Sequence, residues 1–354
     1  MAARVLMKGN EALAEAAIKA GCRHFFGYPI TPQTEVAAYM AERMPQVGGT
    51  YLQAESEIAA INMVLGAAAA GVRAMTSSSS PGISLKTEGI SYLAGSDLPC
   101  VIISIQRAGP GLGGIQPAQS DYNQATKAPG HGDLQILVFA PASVQEMANL
   151  VFDAFDAADR YRIPAMILGD GLLGQMMEPV EFPDRSPVEI PKNWATCGHE
   201  NKREHNIINS LYLQAEILEG IILERYKRYA QIEATETRAE QYLTTDAELV
   251  IVAYGASSRI ARSAIDTARN HGIKAGMLRP ITLWPFPVKE IQAATATAKN
   301  ILVVEMSMGQ MVNDVKLAVE CKLPVHFFGR TGGVIPTPAE VLQQIKALTT
   351  GGAV

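Results

Sequence analysis

From the N-terminus to about residue 185, short apolar runs alternate with longer segments whose apolar positions recur at helical spacing. The runs lie at residues 24–27, 50–53, 73–76, 100–105, 135–139 and 165–168, each of strand length. Such alternation predicts a parallel sheet covered by helices. In the segment 58–70, Asn62 is the one polar side chain, so both faces are expected to be buried, inside the chain or against another subunit. Pro183, Pro187 and Pro191 then interrupt the pattern, and a charged stretch over 199–240 predicts a long, partly exposed helix. Further apolar runs at 249–253, 274–278, 301–304 and 325–328, with a helical pattern at 259–270, predict a second, smaller α/β unit. The expected organisation is therefore one domain at 1–185, a largely helical connector at 186–245 and a second domain at 246–354.

At 354 residues the chain exceeds the usual size of one core, in keeping with two domains. Its 48% hydrophobic and 18% charged content argues against disorder and for some apolar surface covered by partners. A net charge of -5 with a pI near 5.8 gives no general attraction for nucleic acid or an anionic membrane. No run approaches the roughly 20 apolar residues of a spanning helix, and the N-terminus lacks the order of a signal peptide, so a cytoplasmic protein is expected. Cys22, Cys100, Cys197 and Cys321 form no CxxC pair, and are expected to be reduced thiols rather than ligands of a cluster or metal.

Two glycine motifs resemble known phosphate-binding patterns. Gly109, Gly111 and Gly114 have the spacing of a dinucleotide fingerprint after a strand, but Pro110 and Pro117 remove backbone donors from a turn that must cradle phosphate. A substrate-side loop is the better account. Gly169, Asp170 and Gly171 resemble the opening of a thiamine-diphosphate magnesium motif, with Asn193 as its later partner. The prolines at 179, 183, 187 and 191 stand where that motif needs a helix and a strand, so a tight turn is expected instead. The chain is thus expected to lack a diphosphate site of its own.

Three positions at predicted strand ends carry candidate chemistry. Thr31, in the run Tyr28, Pro29, Ile30, Thr31, Pro32, sits at the carboxyl end of the first strand, where open α/β sheets bind ligands. It could equally cap a helix beginning near Pro32. Glu55 and Glu57 precede the apolar segment 58–70; either could serve the helix macrodipole, and desolvation there would raise a carboxyl pKa toward proton exchange near neutrality. Arg107 ends an apolar strand before the glycine loop, as a solvated rim residue or as an anion clamp.

In combination, GYPITP at 27–32, AESEIAA at 54–60, SSSSPG at 77–82, QRAGP at 106–110, QPAQSD at 116–121 and VVEMSMGQ at 303–310 resemble the alpha subunits of 2-oxoacid:ferredoxin oxidoreductases over nearly the whole chain. The length and the opening MKGNEA at 7–12 are closest to the short alpha subunits of the four-subunit enzymes. The resemblance implies a doubly wound α/β domain of the pyrimidine-binding thiamine-diphosphate type, plus a transketolase-C-terminal-like domain. It implies oxidative decarboxylation of a 2-oxoacid, a branched-chain one or 2-oxoglutarate, with the acyl group passed to coenzyme A and electrons to ferredoxin. By position it assigns Glu57 to the cofactor's N1′, with Tyr28, Pro29 and Ile30 beside the cofactor, and Thr31 and Arg107 to the substrate. Glu55 remains the rival to Glu57. A beta subunit would hold the diphosphate and Mg2+, gamma and delta or ferredoxin-like subunits would hold [4Fe-4S] clusters, and the assembly would be a dimer of hetero-oligomers.

Overall fold

The computed structural model describes residues 4–350. Its first eight strands are β1 (Val5–Lys8), β2 (His24–Gly27), β3 (Thr50–Gln53), β4 (Ala74–Ser78), β5 (Cys100–Gln106), β6 (Leu137–Phe139), β7 (Pro164–Asp170) and β8 (Met177–Val180). Six of them, β2 to β7, are the predicted apolar runs, and they pair in parallel in the order β6-β7-β5-β4-β2-β3. Every residue of β5 and β7 is buried, as expected for central strands covered on both faces. The direction of strand succession reverses between β2 and β4. A crevice therefore opens at the carboxyl ends of those two strands, where ligands bind in open α/β sheets.

The later strands are β9 (Ala239–Tyr242), β10 (Leu249–Val252), β11 (Ala275–Pro280), β12 (Thr282–Trp284), β13 (Asn300–Glu305) and β14 (Val325–Gly329). Five of these form the smaller sheet, in the order β14-β13-β10-β11-β9 with only β9 antiparallel. In β10, Leu249 and Ile251 face one hydrophobic cluster while Val250 and Val252 face another, the two-residue period of a sheet buried on both sides. β12 leaves this unit and pairs antiparallel with β6, so the larger sheet has a seventh strand supplied from late in the chain. β1, β8, β9 and β12 carry no clear alternation in sequence: they are short edge strands, and Glu178, Pro179 and Glu240 suit an edge rather than a centre.

One expectation is corrected, and one is narrowed to its second alternative within this chain. The charged stretch 199–240 is helical only over Ala215–Glu236. Before it, Asn206 donates to the carbonyls of Asn193 and Ala195, and Asn209 both donates to and accepts from Leu211. Side chains that bond locally in this way compete with helix formation. The apolar helix is Glu57–Ala69, and within this chain only one of its faces is covered: Ala60, Ile61, Val64 and Ala68 are buried, whereas Ile58, Asn62 and Gly66 lie exposed at four-residue spacing. Ile58 retains 49% of its accessible surface.

The two sheets are joined by buried polar contacts. Gln119 is fully buried; its amide donates to the Tyr254 carbonyl at 2.8 Å and accepts from Ser257 Oγ at 2.6 Å and the Met306 N–H at 3.1 Å. From β11, Arg279 makes a two-pronged bond to Glu146 at 2.8 and 2.9 Å and reaches Glu240 at 2.7 Å. Planar, charge-assisted bonds of this kind are strong, and removing one partner strands the others. Arg279→Met is expected to cost about 3 kcal/mol, the low end for a buried pair because both glutamates are partly solvated. A fall in the urea midpoint checks this, and an unchanged midpoint would show the triad to be energetically idle.

Candidate active site

Around the crevice, the chain brings three loops and one helix start together. After β2, residues 28–33 turn across its end. Gln33 is fully buried there and fastens the turn: its N–H donates to the Ile30 carbonyl at 3.2 Å, its amide to the Tyr28 carbonyl at 3.3 Å, and it accepts from Ser77 Oγ of β4 at 2.5 Å. The following helix is Thr34–Gln46 with Gln33 at the cap position. Thr31 therefore does not cap it, and the capping alternative is set aside because the helix begins later than Pro32. Tyr28, Pro29 and Thr31 are exposed at the rim and Ile30 is half-buried.

Geometry separates the two glutamates. Glu55 is exposed, while Glu57, the first residue of its helix, is only 6% exposed. Ser56 at the cap accepts from the Ala59 N–H at 3.2 Å, which fixes the start of the helix and so the direction of Glu57. The carboxylate lies against the first turn of the helix Ser80–Gly95, so close that a β-carbon on Gly82 would stand 2.6 Å from Glu57 Oε1 and 2.1 Å from Ser78 Oγ. Only glycine fits there. Two buried hydroxyls, Ser78 Oγ and Ser79 Oγ, have no protein partner.

Arg107 follows β5 and is 7% exposed. Its guanidinium donates to the Thr31 carbonyl and to the Leu112 carbonyl, each at 3.0 Å, and its Nε finds no protein partner. The bond to Thr31 links the two residues assigned to substrate. The glycine loop beyond does not open into a helix: Gly114 N–H donates to the Ala108 carbonyl at 2.9 Å and Ala108 N–H to the Gln116 carbonyl at 3.0 Å, so the chain folds back on itself. That closes the dinucleotide reading. At Asp170 the expected tight turn is corrected: it caps a short helix, Gly171–Gln175, accepting from the N–H groups of Leu172 and Leu173 at 3.0 and 3.1 Å, and β8 follows with Pro179 accommodated at a sheet edge.

Several residues beside the crevice carry no motif of their own in the sequence. Ser80 accepts from the Arg107 N–H at 3.0 Å and donates to Asp121 at 2.5 Å, so one helix start touches both the Arg107 and the Glu57 sides of the crevice. Between the two sheets, a cleft of about 690 Å³ is lined by Ser80, Gly109, Asp121, Met308 and Thr331. Burial pushes the Asp121 carboxyl up to about 6 against the pull of Ser80 and Arg107. A carboxyl raised in the fold contributes stability below its unfolded value, and that contribution is lost as pH rises through 6. The thermal midpoint of the wild type should therefore fall relative to Asp121→Asn between about pH 4 and pH 6. A constant difference across that window would refute it; Asp170, raised by burial to about 6 as well, is common to both proteins and cancels. Lys86, fully buried below Glu57, was also missed. Its signal was a lysine on the apolar stripe formed by Ile83, Ile90 and Leu93.

Residues 15–246 match the family model described as pyruvate flavodoxin/ferredoxin oxidoreductase, thiamine diphosphate-binding, and residues 247–341 match pyruvate:ferredoxin oxidoreductase core domain II. The chain belongs to the 2-oxoacid:ferredoxin oxidoreductase family. It is 49% identical to the ketoisovalerate oxidoreductase subunit VorB of Methanothermobacter marburgensis, over 97% of each chain. It is 36% identical to the 2-oxoglutarate synthase subunit KorA of Methanothermobacter thermautotrophicus, over 98% and 99% of the two chains. The solved 2-oxoglutarate:ferredoxin oxidoreductase from Magnetococcus marinus, with 2-oxoglutarate, coenzyme A and succinyl-CoA bound, superposes with a TM-score of 0.88 at 26% identity. The match covers 98% of this chain and 65% of that one. A split-gene transketolase shares the fold, with a TM-score of 0.60 at 14% identity over 97% of the chain.

As a 2-oxoacid:ferredoxin oxidoreductase chain, it uses thiamine diphosphate, and its crevice suits one end of that cofactor. A carboxylate, two buried hydroxyls without partners and a glycine floor fit a flat aminopyrimidine, which offers ring nitrogens and an amino group. Among the described residues no group of three or more His, Cys, Asp or Glu side chains could hold a metal ion.

Proposed function

We propose that this chain is the alpha subunit of an oxidoreductase for a branched-chain 2-oxoacid such as 3-methyl-2-oxobutanoate, with Glu57, Thr31 and Arg107 as its working side chains. The observation that carries the substrate is the charge of the crevice. Arg107 is the one cationic side chain on the loops 28–33, 77–82 and 106–121, and its neighbours Leu112 and Ile115 are apolar and exposed. One guanidinium with an apolar surround suits one carboxylate and an aliphatic tail. The second carboxylate of 2-oxoglutarate would find no partner on these loops. The higher identity to the ketoisovalerate subunit than to the 2-oxoglutarate subunit supports the same choice.

In this reading the Glu57 carboxyl holds a proton at the pyrimidine nitrogen N1′, and Tyr28, Pro29 and Ile30 flank the ring. Arg107 keeps two donors on the Thr31 and Leu112 carbonyls and has its Nε–H to spare for the substrate carboxylate. Thr31 offers its hydroxyl to the ketone oxygen. Thiamine diphosphate, when bound, supplies the nucleophilic carbon and receives the electrons left by decarboxylation. A beta subunit holds the diphosphate and Mg2+ and covers the exposed face of Ile58, Asn62 and Gly66; gamma and delta subunits carry the [4Fe-4S] clusters toward ferredoxin. The site is then shielded between polypeptides.

The test is a panel of 2-oxoacids given to the purified native complex with coenzyme A and a viologen acceptor. The expected kcat/KM favours 3-methyl-2-oxobutanoate over 2-oxoglutarate by about tenfold or more. The reverse order would overturn the substrate, and dye reduction independent of coenzyme A would overturn the reaction.

A further inference from the structure

Lys86 lies on the helix Ser80–Gly95, one turn beyond Gly82, and none of its surface is exposed. Burying an ammonium is costly, so lysines are rarely found in such positions without a partner. Its Nζ donates to the Glu57 carbonyl at 3.4 Å and to Thr76 Oγ1 at 3.1 Å. From the helix Glu57–Ala69 and from β4, which pack against it, Glu57 is the one charged side chain whose field reaches it. The same helix start places Gly82 against the Glu57 carboxylate.

We propose that Lys86 is a positioning residue for Glu57: its ammonium anchors the first turn of that glutamate's helix and supplies the counter-charge for its carboxylate inside the crevice. This rests on the role given to Glu57 above. The carboxylate must exchange a proton with a bound ring, and a neighbouring charge that is itself able to leave makes that exchange dependent on pH. Desolvation brings the Lys86 amine down to about 8, with the Glu57 charge opposing the shift. Above that pH the counter-charge is withdrawn, and the carboxylate faces the ring without it.

The experiment compares wild type, Lys86→Met and Lys86→Arg in the assembled complex. In wild type, kcat is expected to fall with a midpoint near pH 8, and the circular dichroism band of the bound aminopyrimidine to change over the same range. Lys86→Met should assemble and bind thiamine diphosphate with little change, measured by fluorescence titration, while kcat falls about 10- to 100-fold and the KM for the 2-oxoacid stays within about twofold. Its alkaline limb should vanish. Lys86→Arg, which keeps the charge to higher pH, should recover part of kcat. Wild-type kcat with an unaltered pH profile in Lys86→Met would overturn the proposal, as would a loss matched by an equal loss of cofactor affinity. If neither variant assembles, the wild-type band decides: no change between about pH 7 and pH 9 overturns it. An inactive Glu57→Gln beside an unaffected Lys86→Met removes only this inference, whereas an active Glu57→Gln removes the reading beneath it.

Discussion

Glu57→Gln is expected to lower the turnover of the reconstituted complex with its 2-oxoacid by about 10²- to 10⁴-fold, the usual range for removing a positioned proton-exchanging group. Glutamine keeps the length of the side chain and its bonding capacity but cannot accept or return a proton, so assembly and the KM should change little. The reason for choosing this carboxyl is structural: it stands at a helix start, 6% exposed, against a glycine floor and beside two hydroxyls with no partner. Glu55→Gln is the control, since that side chain is exposed and should leave turnover within about twofold. Gly82→Ala probes the same geometry from the opposite wall. Its methyl would stand 2.6 Å from Glu57 Oε1, closer than any tolerable contact, and should impair turnover comparably. Viologen reduction at saturating substrate measures all three. Equal activity in Glu57→Gln and Glu55→Gln would take the site away from residue 57.

The second large effect is at Arg107. Arg107→Met should lower kcat/KM by about 10- to 150-fold, the equivalent of losing a hydrogen bond to a charged group at about 1.5 to 3 kcal/mol. Most of the loss should appear in KM, because the guanidinium holds the carboxylate of the bound 2-oxoacid, whose charge departs when carbon dioxide leaves. Arg107 also props the Thr31 and Leu112 carbonyls, so a loosened loop could mimic lost binding. Added guanidinium ion distinguishes the two: partial recovery of kcat/KM marks a vacated anion clamp. Arg107→Lys should rescue poorly, because a single ammonium cannot hold both carbonyls and the substrate in one plane. Full activity in Arg107→Met would leave the crevice without a carboxylate anchor and would remove the argument for a monocarboxylate.

Much of the fold was legible from local pattern. The six apolar runs of the first domain became β2 to β7; those of β5 and β7 are nearly continuous in apolar residues because these central parallel strands are buried on both faces, whereas β3 forms an edge and is mostly exposed. The runs at 249–253, 274–278 and 301–304 became β10, β11 and β13 for the same reason, and the run at 325–328 became the edge strand β14. Pro110 and Pro117 were enough to discount the dinucleotide fingerprint, and the chain does fold back on itself there. The motifs at strand ends located the crevice, since the carboxyl ends of strands in a doubly wound sheet meet at the reversal of strand order.

What pattern could not supply was any relation between residues far apart in the chain. Glu55 and Glu57 differ by two positions and have the same chemistry; only the placement of Gly82 and Ser78 beside one of them distinguishes a buried carboxylate from a solvated one. Lys86 was lost in an apolar stripe, β12 crossed to the other sheet, and Gln119 joined the domains through partners more than a hundred residues away. Composition and periodicity report how each segment divides between core and solvent. Which charge faces which carboxylate is settled by packing at distances of about 3 Å, where a hydrogen bond or a clash forms, and that information exists only once the chain has folded.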